Sequence, residues 1–306
     1  MTIATAVRPA PRWARMLGSV VRRLPRGRYR VVSSFRPSAS PFLSTIADDL
    51  GAARFACDLS DQIAREVCLT GCYEPPVTRL IQRRLDIGGT MLDVGANWGY
   101  FSLLSAAMVG AAGRVVSLEP DPRQFDALVA NVRLNGFGQV TPLRQAAATE
   151  AGTATLVGYD DDAENRGVSR LGSDAAGLPS FEVACVPLDA VTSPLPCVDV
   201  MKLDVEGAEL DALRGMRDGL SSHKYRALFL ELHPALLEAR GDSAEACVRL
   251  LLDAGYKGWT IDQSARAYRR ALSPLVKTAD MLQPLAEWRG QIWPHVLWLA
   301  PGEDLV

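Results

Sequence analysis

From Thr90 onward the chain alternates short apolar runs with helix-patterned stretches, and this alternation limits the fold more than any other feature. "TMLDVG" reads as a strand, and "YFSLLSAAMVG" as a helix ending at Gly110. "GRVVSLEP" is a second strand. "DPRQFDALVANVRLNG" is a second helix, with Asp121 and Pro122 at its start and Gly136 at its end. "QVTPLRQAA" is a third strand whose proline puts it near a sheet edge. The pattern resumes with strands "VDVMKLDVEG" and "YRALFLELHP" and helices "AELDALRGM" and "SAEACVRLLLDAG". "YKGWTID" and "HVLWLAP" look like a closing pair of strands. Strands joined by helices of these lengths predict an α/β fold, with a mostly parallel sheet covered on both faces. Such sheets bind ligands beyond the carboxyl ends of their strands, where strand order reverses.

The rest of the chain frames that unit. Residues 1–47 hold nine arginines and no acidic residue, and read as an Arg-rich extension. A basic arm gathering an acidic partner and a loosely docked terminal segment both fit, and we favour the second. Residues 48–306 are expected to form one domain. Its first part, 48–89, is a helical cap in which Pro75 and Pro76 stop one helix before another resumes at Val77–Leu85. "TATLVGY" and "FEVACVPL" suggest a hairpin-like insertion around the loop "YDDDAENRGVSRLG", which suits an acceptor lid, a dimer contact or a solvated loop. A net charge of −2 gives no overall preference for nucleic acid or anionic membranes. No run approaches the ~18 apolar residues that cross a bilayer, and "MLGSVV" is too short for a secretion signal. Six scattered cysteines fit a reducing cytoplasm, and Cys68 and Cys72 read as ordinary buried thiols.

After the first strand come Gly95, Ala96, Asn97, Trp98 and Gly99. Gly95 permits a tight turn, and Gly99 lets the next helix pack closely while backbone N–H groups turn toward a ligand. Asp93 at the strand's end would be unhelpful beside a pyrophosphate; a ligand with ammonium and sulfonium centres suits it better. Glu119, ending the second strand, can take both hydroxyls of an adenosine ribose. A nicotinamide-dependent oxidoreductase uses the same sheet and acid. However, Asn97 interrupts the G-x-G-x-x-G fingerprint, and no Tyr-x-x-x-Lys pair is present. A cofactor-binding protein without catalysis is a third class.

These residues resemble the S-adenosylmethionine-dependent methyltransferases of the FkbM type, from about Gly71 to Pro301. The motifs are "GCYEP", "MLDVGANWGYFSL", "VVSLEPDPRQFDALVANVRLNG", "VDVMKLDVEGAELDALRGM", "LFLELHP" and "HVLWLAP". The resemblance implies a Rossmann-like class I fold with seven strands, the last reversed. It implies Asp93, Gly95, Asn97 and Gly99 around the methionine part of S-adenosylmethionine, Glu119 on the ribose, and Asp121 with Ala146 and Ala147 flanking the adenine. It also implies O-methylation of a sugar, polyketide, other secondary metabolite or glycan, leaving S-adenosylhomocysteine. Tyr73 and Glu74 in "GCYEP" are placed to close over the cofactor's methionine end, with a plain helix-stop turn as the competing role.

A second constellation follows. "KLDVEGAE" sets Lys202, Asp204 and Glu206 at alternate positions leaving a strand, hence on one side of it. The next strand ends in Glu231 and His233, again two apart. Methyl transfer to a hydroxyl needs an aligned oxygen and a base for its proton. His233 suits that base, while Asp204 and Glu206 serve as base or orient the acceptor or the cofactor amine. Lys202 is expected to pair with a neighbouring carboxylate. Asp204, Glu231 and His233 also fit a divalent ion, but the spacing is unspecific and no metal is assigned. The same groups would serve N-methylation of a small metabolite or peptide. The acceptor is a small molecule or a glycan-linked hydroxyl, the location the cytoplasm, and a homodimer is allowed. Trp298 is expected in the core, and Trp288 or Trp293 near the acceptor.

Overall fold

The structure is a computed structural model describing residues 8–24, 31–32, 34, 42–46, 51–57, 59–159, 169–172, 177–273, 275–285 and 294–305. Trp288, Trp293 and residues 160–168 of the acidic loop lie outside that set. In chain order the amino-terminal elements are β1 (Arg8–Pro9), α1 (Arg12–Arg23), β2 (Phe42–Thr45), β3 (Arg54–Cys57), α2 (Gln62–Thr70) and α3 (Pro75–Arg84). Then follow β4 (Thr90–Val94), α4 (Tyr100–Val109), β5 (Arg114–Leu118), α5 (Pro122–Asn135), β6 (Val140–Leu143), β7 (Gln145–Ala147), β8 (Gly152–Val157), β9 (Arg170–Leu171), β10 (Ser180–Val186) and α6 (Leu188–Thr192). The remainder is β11 (Val198–Leu203), α7 (Glu209–Arg214), α8 (Arg217–Ser221), β12 (Tyr225–Glu231), α9 (Pro234–Ala239), α10 (Ala244–Asp253), β13 (Lys257–Ile261), α11 (Ala265–Ala271), β14 (Leu282–Pro284) and β15 (His295–Leu299).

The main sheet has the order β14-β13-β15-β12-β11-β4-β5-β6. Strands β4, β5, β6, β11 and β12 run parallel, and β15 runs antiparallel between β12 and β13. That is the expected seven-stranded sheet with a reversed last strand, plus one addition: the three-residue β14 on the β13 edge. Proline-bearing β6 is the other edge strand, where a missing N–H costs least. Side chains alternate across the sheet. Met91, Val115, Phe229 and Leu297 enter one core with Leu80 of α3 and Leu103 of α4. Leu92, Val116, Leu228 and Val296 enter the other with Leu213 of α7 and Leu251 of α10. Trp298 is fully buried there, as expected.

Three local expectations change. The run "QVTPLRQAA" is two strands, because β7 leaves the main sheet to pair with β10 in a second sheet ordered β7-β10-β8-β9. Helix α2 ends at Gly71, which takes φ +81°, and Pro75 and Pro76 open α3 instead of stopping its predecessor. The 48–89 cap is not wholly helical, because β3 precedes α2.

Within the Arg-rich segment, α1 buries Ala14, Gly18 and Val21 and packs on α2, while β1, β2 and β3 form a small sheet. Two asparagines of α5 seat that sheet. Asn131 Oδ1 accepts from the Ala56 amide at 2.8 Å, and Asn135 Oδ1 from the Arg54 amide at 2.7 Å. Among the described residues no helix is long and apolar enough to cross a membrane.

Candidate active site

Strand order reverses between β4 and β11, so the loops leaving these strands diverge and open a crevice. A cavity of about 370 Å³ lies there, lined by the Val94–Trp98 turn, Glu119, Ala146, Lys202, Asp204, Glu206, Glu231 and His233, among others.

The turn is built by close approach. Gly95 has φ +81°, and a Cβ on it would lie 1.7 Å from the Asp204 carbonyl oxygen. The Gly95 and Ala96 amides both donate to the Leu118 carbonyl at 2.9 Å, tying the turn to the end of β5. Asn97 also takes positive φ, +52°, and its Oδ1 accepts from the Trp98 amide at 2.6 Å. Gly99, at φ +90°, lets α4 pass α5, since a Cβ would meet Leu128 at 2.6 Å. Asn131 Nδ2 donates to the Trp98 carbonyl at 2.9 Å, so the residue that seats β3 also fixes this turn.

Glu119 is the acid that faces the cavity from β5. Its two oxygens accept from the Asn97 amide at 2.8 Å and the Asp121 amide at 2.9 Å. Burial nevertheless pushes its carboxyl up to about 8. Asp93 is different: it is absent from the cavity wall and accepts from Ser102 Oγ at 2.6 Å beneath the turn. Its pKa rises to about 6 through burial. Asp121 is also withdrawn. It caps α5, accepts from the Arg123 amide and guanidinium, and takes a 2.7 Å bond from Ser169 Oγ. Those hydrogen bonds outweigh burial and hold it below the usual carboxylate range. The cavity wall on that side is Ser169, Ala146, Ala147 and Leu156.

The second constellation assembles at the carboxyl ends of β11 and β12. Lys202 Nζ lies 2.7 Å from Asp204 Oδ2, the expected ion pair, and 3.9 Å from Glu231. Glu206 is no longer on the strand: at φ +49° it sits in a turn with Gly207, yet its carboxylate returns to the same cluster. His233 Nε2 is 3.4 Å from Glu206, 3.7 Å from Glu231 and 4.0 Å from Asp204. Its other nitrogen, Nδ1, meets Glu209 Oε1 at 2.6 Å. Burial disfavours the imidazolium, but Glu209, Asp204 and Glu206 overcome it and push His233 up to about 9. Burial first, then the nearby acids, raise Glu206 to about 7.

Two members escaped the sequence. Glu209, in the first turn of α7, is fully buried beneath His233. His295 starts β15 opposite Glu231, and its Nε2 reaches Glu231 at 3.0 Å and Glu74 at 3.2 Å. A signal existed, because a reversed last strand begins where its parallel neighbour ends. Burial lowers the His295 pKa, but Glu231 and Glu74 carry it to about 10. Glu74 is thereby turned away from the cavity, whereas its neighbour Tyr73 lines it. Three ligand atoms fall within 4.8 Å in each of two sets, Glu74–Glu231–His295 and Asp204–Glu206–His233. In both, Lys202 and the two basic imidazoles already supply positive charge.

Asp121, Asp204 and Glu74 are held below their ordinary values by the hydrogen bonds and positive charges around them, which outweigh burial, but six other groups shift the opposite way. Asp93, Glu66, Glu119, Glu206, His233 and His295 all hold protons more tightly folded than unfolded. The folded state therefore binds more protons above the unfolded carboxyl range, and stability falls as pH rises from about 5 to 10. We expect the ligand-free melting temperature to decline across that window, and less steeply in Glu66→Gln. A flat profile would contradict the assignment.

The "Methyltransferase FkbM domain" family matches residues 93–257. The hexuronic acid methyltransferase AglP of Haloferax volcanii is 28% identical over 184 residues, covering 60% of this chain and 71% of that protein. The methyltransferase sdnD of Sordaria araneosa is 28% identical over 41% of this chain and 60% of its own length. A solved FkbM methyltransferase from Methylobacillus flagellatus is 17% identical with a TM-score of 0.42, covering 83% of this chain and 56% of that one. With its own sheet order, glycine turn and strand-end acids in the matched region, the chain belongs to the FkbM family of methyltransferases.

Proposed function

We propose that the enzyme transfers the methyl group of S-adenosylmethionine to a hydroxyl of a sugar or another hydroxyl-rich metabolite. The observation that carries this reading is the His233 arrangement: an imidazole at the cavity wall, buttressed from behind by Glu209, close to the glycine turn. The residues fit the cofactor. Gly95 lets the turn pack against the Asp204 backbone, which a Cβ would prevent, so that Gly95, Ala96 and Asn97 line the cavity together with the buried Glu119 carboxyl. When bound, S-adenosylmethionine supplies an electrophilic methyl on a positively charged sulfur. The Gly95–Asn97 turn and the carboxylates facing it hold the charged methionine end, and Glu119 takes the ribose hydroxyls. His233 removes the acceptor's proton at Nε2 while Glu209 holds Nδ1 and favours the imidazolium that forms. Asp204 and Glu206 accept from the acceptor's hydroxyls and orient them. The similarity to the hexuronic acid methyltransferase of Haloferax volcanii supports a sugar acceptor.

Calorimetry with S-adenosylhomocysteine tests the cofactor half. Affinity in the micromolar range, roughly −8 kcal/mol, is expected. Glu119→Ala should weaken it about tenfold or more, since a charge-assisted hydrogen bond is worth ~1.5–3 kcal/mol. Because Glu119 is held protonated up to about 8, ribose binding to its ionised form should release a proton near neutral pH. The measured heat will then vary with the ionisation enthalpy of the buffer. Absence of binding, or unchanged affinity in Glu119→Ala, overturns this assignment. The acceptor half is read by mass spectrometry of a strain lacking the protein, as loss of one metabolite and gain of its form lighter by one methylene.

A further inference from the structure

Helix α1 lies apart from the cavity and carries an arrangement that catalysis does not use. Its Ala14, Gly18 and Val21 face α2, with the Cβ position of Gly18 only 3.4 Å from the Cys68 carbonyl oxygen. That contact leaves Trp13, Met16 and Val20 on another side, 45%, 71% and 57% exposed. At 100° per residue the three fall within about 60° of helix surface, so they form one stripe and are not scattered. Three of the seven large apolar side chains exposed among the described residues are therefore on this one helix. Exposed apolar residues are ordinary when single; a contiguous stripe marks a contact surface.

Charge beside the stripe selects the contact. Arg12, Arg15, Arg22 and Arg23 are exposed along the same helix, and α1 has no acidic residue. Arg15, Arg22 and Arg23 also line a groove of about 590 Å³ with Arg54, Ser19 and Ser44. The chain as a whole is slightly acidic, so this positive surface is a local concentration. An apolar stripe bordered by arginines, including one tryptophan, matches the boundary between lipid headgroups and acyl chains. A polyanion without apolar groups would engage the arginines but would leave Met16 and Val20 without a dry environment.

We propose that α1 docks the enzyme on an anionic phospholipid surface, with Trp13, Met16 and Val20 entering the acyl boundary and the arginines meeting lipid phosphates. The helix lies in the interface plane, and the catalytic domain remains in water. The attachment is reversible, because one short stripe buries too little apolar area for permanent anchoring.

The full chain should co-sediment with vesicles of phosphatidylcholine and phosphatidylglycerol, and bind pure phosphatidylcholine roughly tenfold less well or worse. Met16→Glu/Val20→Glu should lower binding to the mixed vesicles about tenfold or more. Arg15→Glu/Arg23→Glu should do the same and flatten the salt dependence. S-adenosylhomocysteine affinity should be unchanged in both variants, which separates lost docking from lost folding. Quenching of tryptophan fluorescence by bromine-bearing acyl chains, absent in Trp13→Phe, reports insertion. Undiminished binding by Met16→Glu/Val20→Glu overturns the proposal. So does failure to bind mixed vesicles, or binding to polyglutamate in their place, which would assign the arginines to an acidic macromolecule.

Discussion

Replacing Gly95 with alanine should cost the fold at least about 4 kcal/mol and lower its melting temperature by roughly 10 °C. Two effects add. The residue sits at φ +81°, and its Cβ would lie 1.7 Å from the Asp204 oxygen and 2.9 Å from the Asp204 carbonyl carbon. Both atoms are backbone, so no rotamer change relieves the clash. Relief requires β4 and β11 to part at the point where the Asp204 amide donates to the Val94 carbonyl at 3.0 Å. The control is Gly88→Ala. Gly88 has nearly the same φ, +84°, but nothing lies within 4 Å of its Cβ position, so only the backbone strain of about 1–2 kcal/mol is lost. Thermal melts of the two variants isolate the packing contribution. The same displacement opens the turn that lines the cavity, so S-adenosylhomocysteine affinity should fall with Gly95→Ala and hold with Gly88→Ala. If the two variants melt together, the close approach does not matter.

Removing the imidazole of His233 should lower kcat by about 10²–10⁴-fold, the range of a lost general base, with little change in S-adenosylhomocysteine affinity. The pH profile makes this specific. A base must be unprotonated to act, and His233 holds its proton up to about 9 in the ligand-free enzyme. At pH 7 only about 1% is in the active form, so kcat/KM should climb nearly tenfold per pH unit before levelling near 9. Glu209→Gln removes the strongest contact raising that pKa, so the plateau should begin at lower pH while activity persists. A merely structural Glu209 would leave the inflection in place. A profile that levels near 7 and survives His233→Ala would transfer the role to Glu206, whose carboxyl is raised to about 7.

Much of the architecture is legible in the amino-acid sequence. Alternating apolar runs and helices gave the parallel sheet, the proline in "VTPL" gave an edge, and the glycines of "DVGANWG" gave the tight turn that lines the cavity. The strand-end acids of "KLDVEGAE" and "ELHP" converge as their spacing implied. These features were readable because each depends on local geometry, a two-residue or a 3.6-residue period or a positive φ.

Tertiary structure decided the rest. Asp93 near the end of β4 and Asp121 after β5 carry suitable chemistry, yet Ser102 draws one beneath the turn, while Arg123 and Ser169 draw the other to the start of α5. Glu74 turns to His295, which lies 221 residues away in sequence and meets Glu231 only because β15 runs antiparallel beside β12. Glu209 becomes the buttress of His233 because α7 and the end of β12 share one buried corner. Sequence by itself determined the sheet, the glycine turn and the strand-end groups Lys202, Asp204, Glu206, Glu231 and His233. Which of those groups face the cavity, and which hold their protons, was settled by packing, because the partner and the burial that tune a charge come from distant segments whose register no local period encodes.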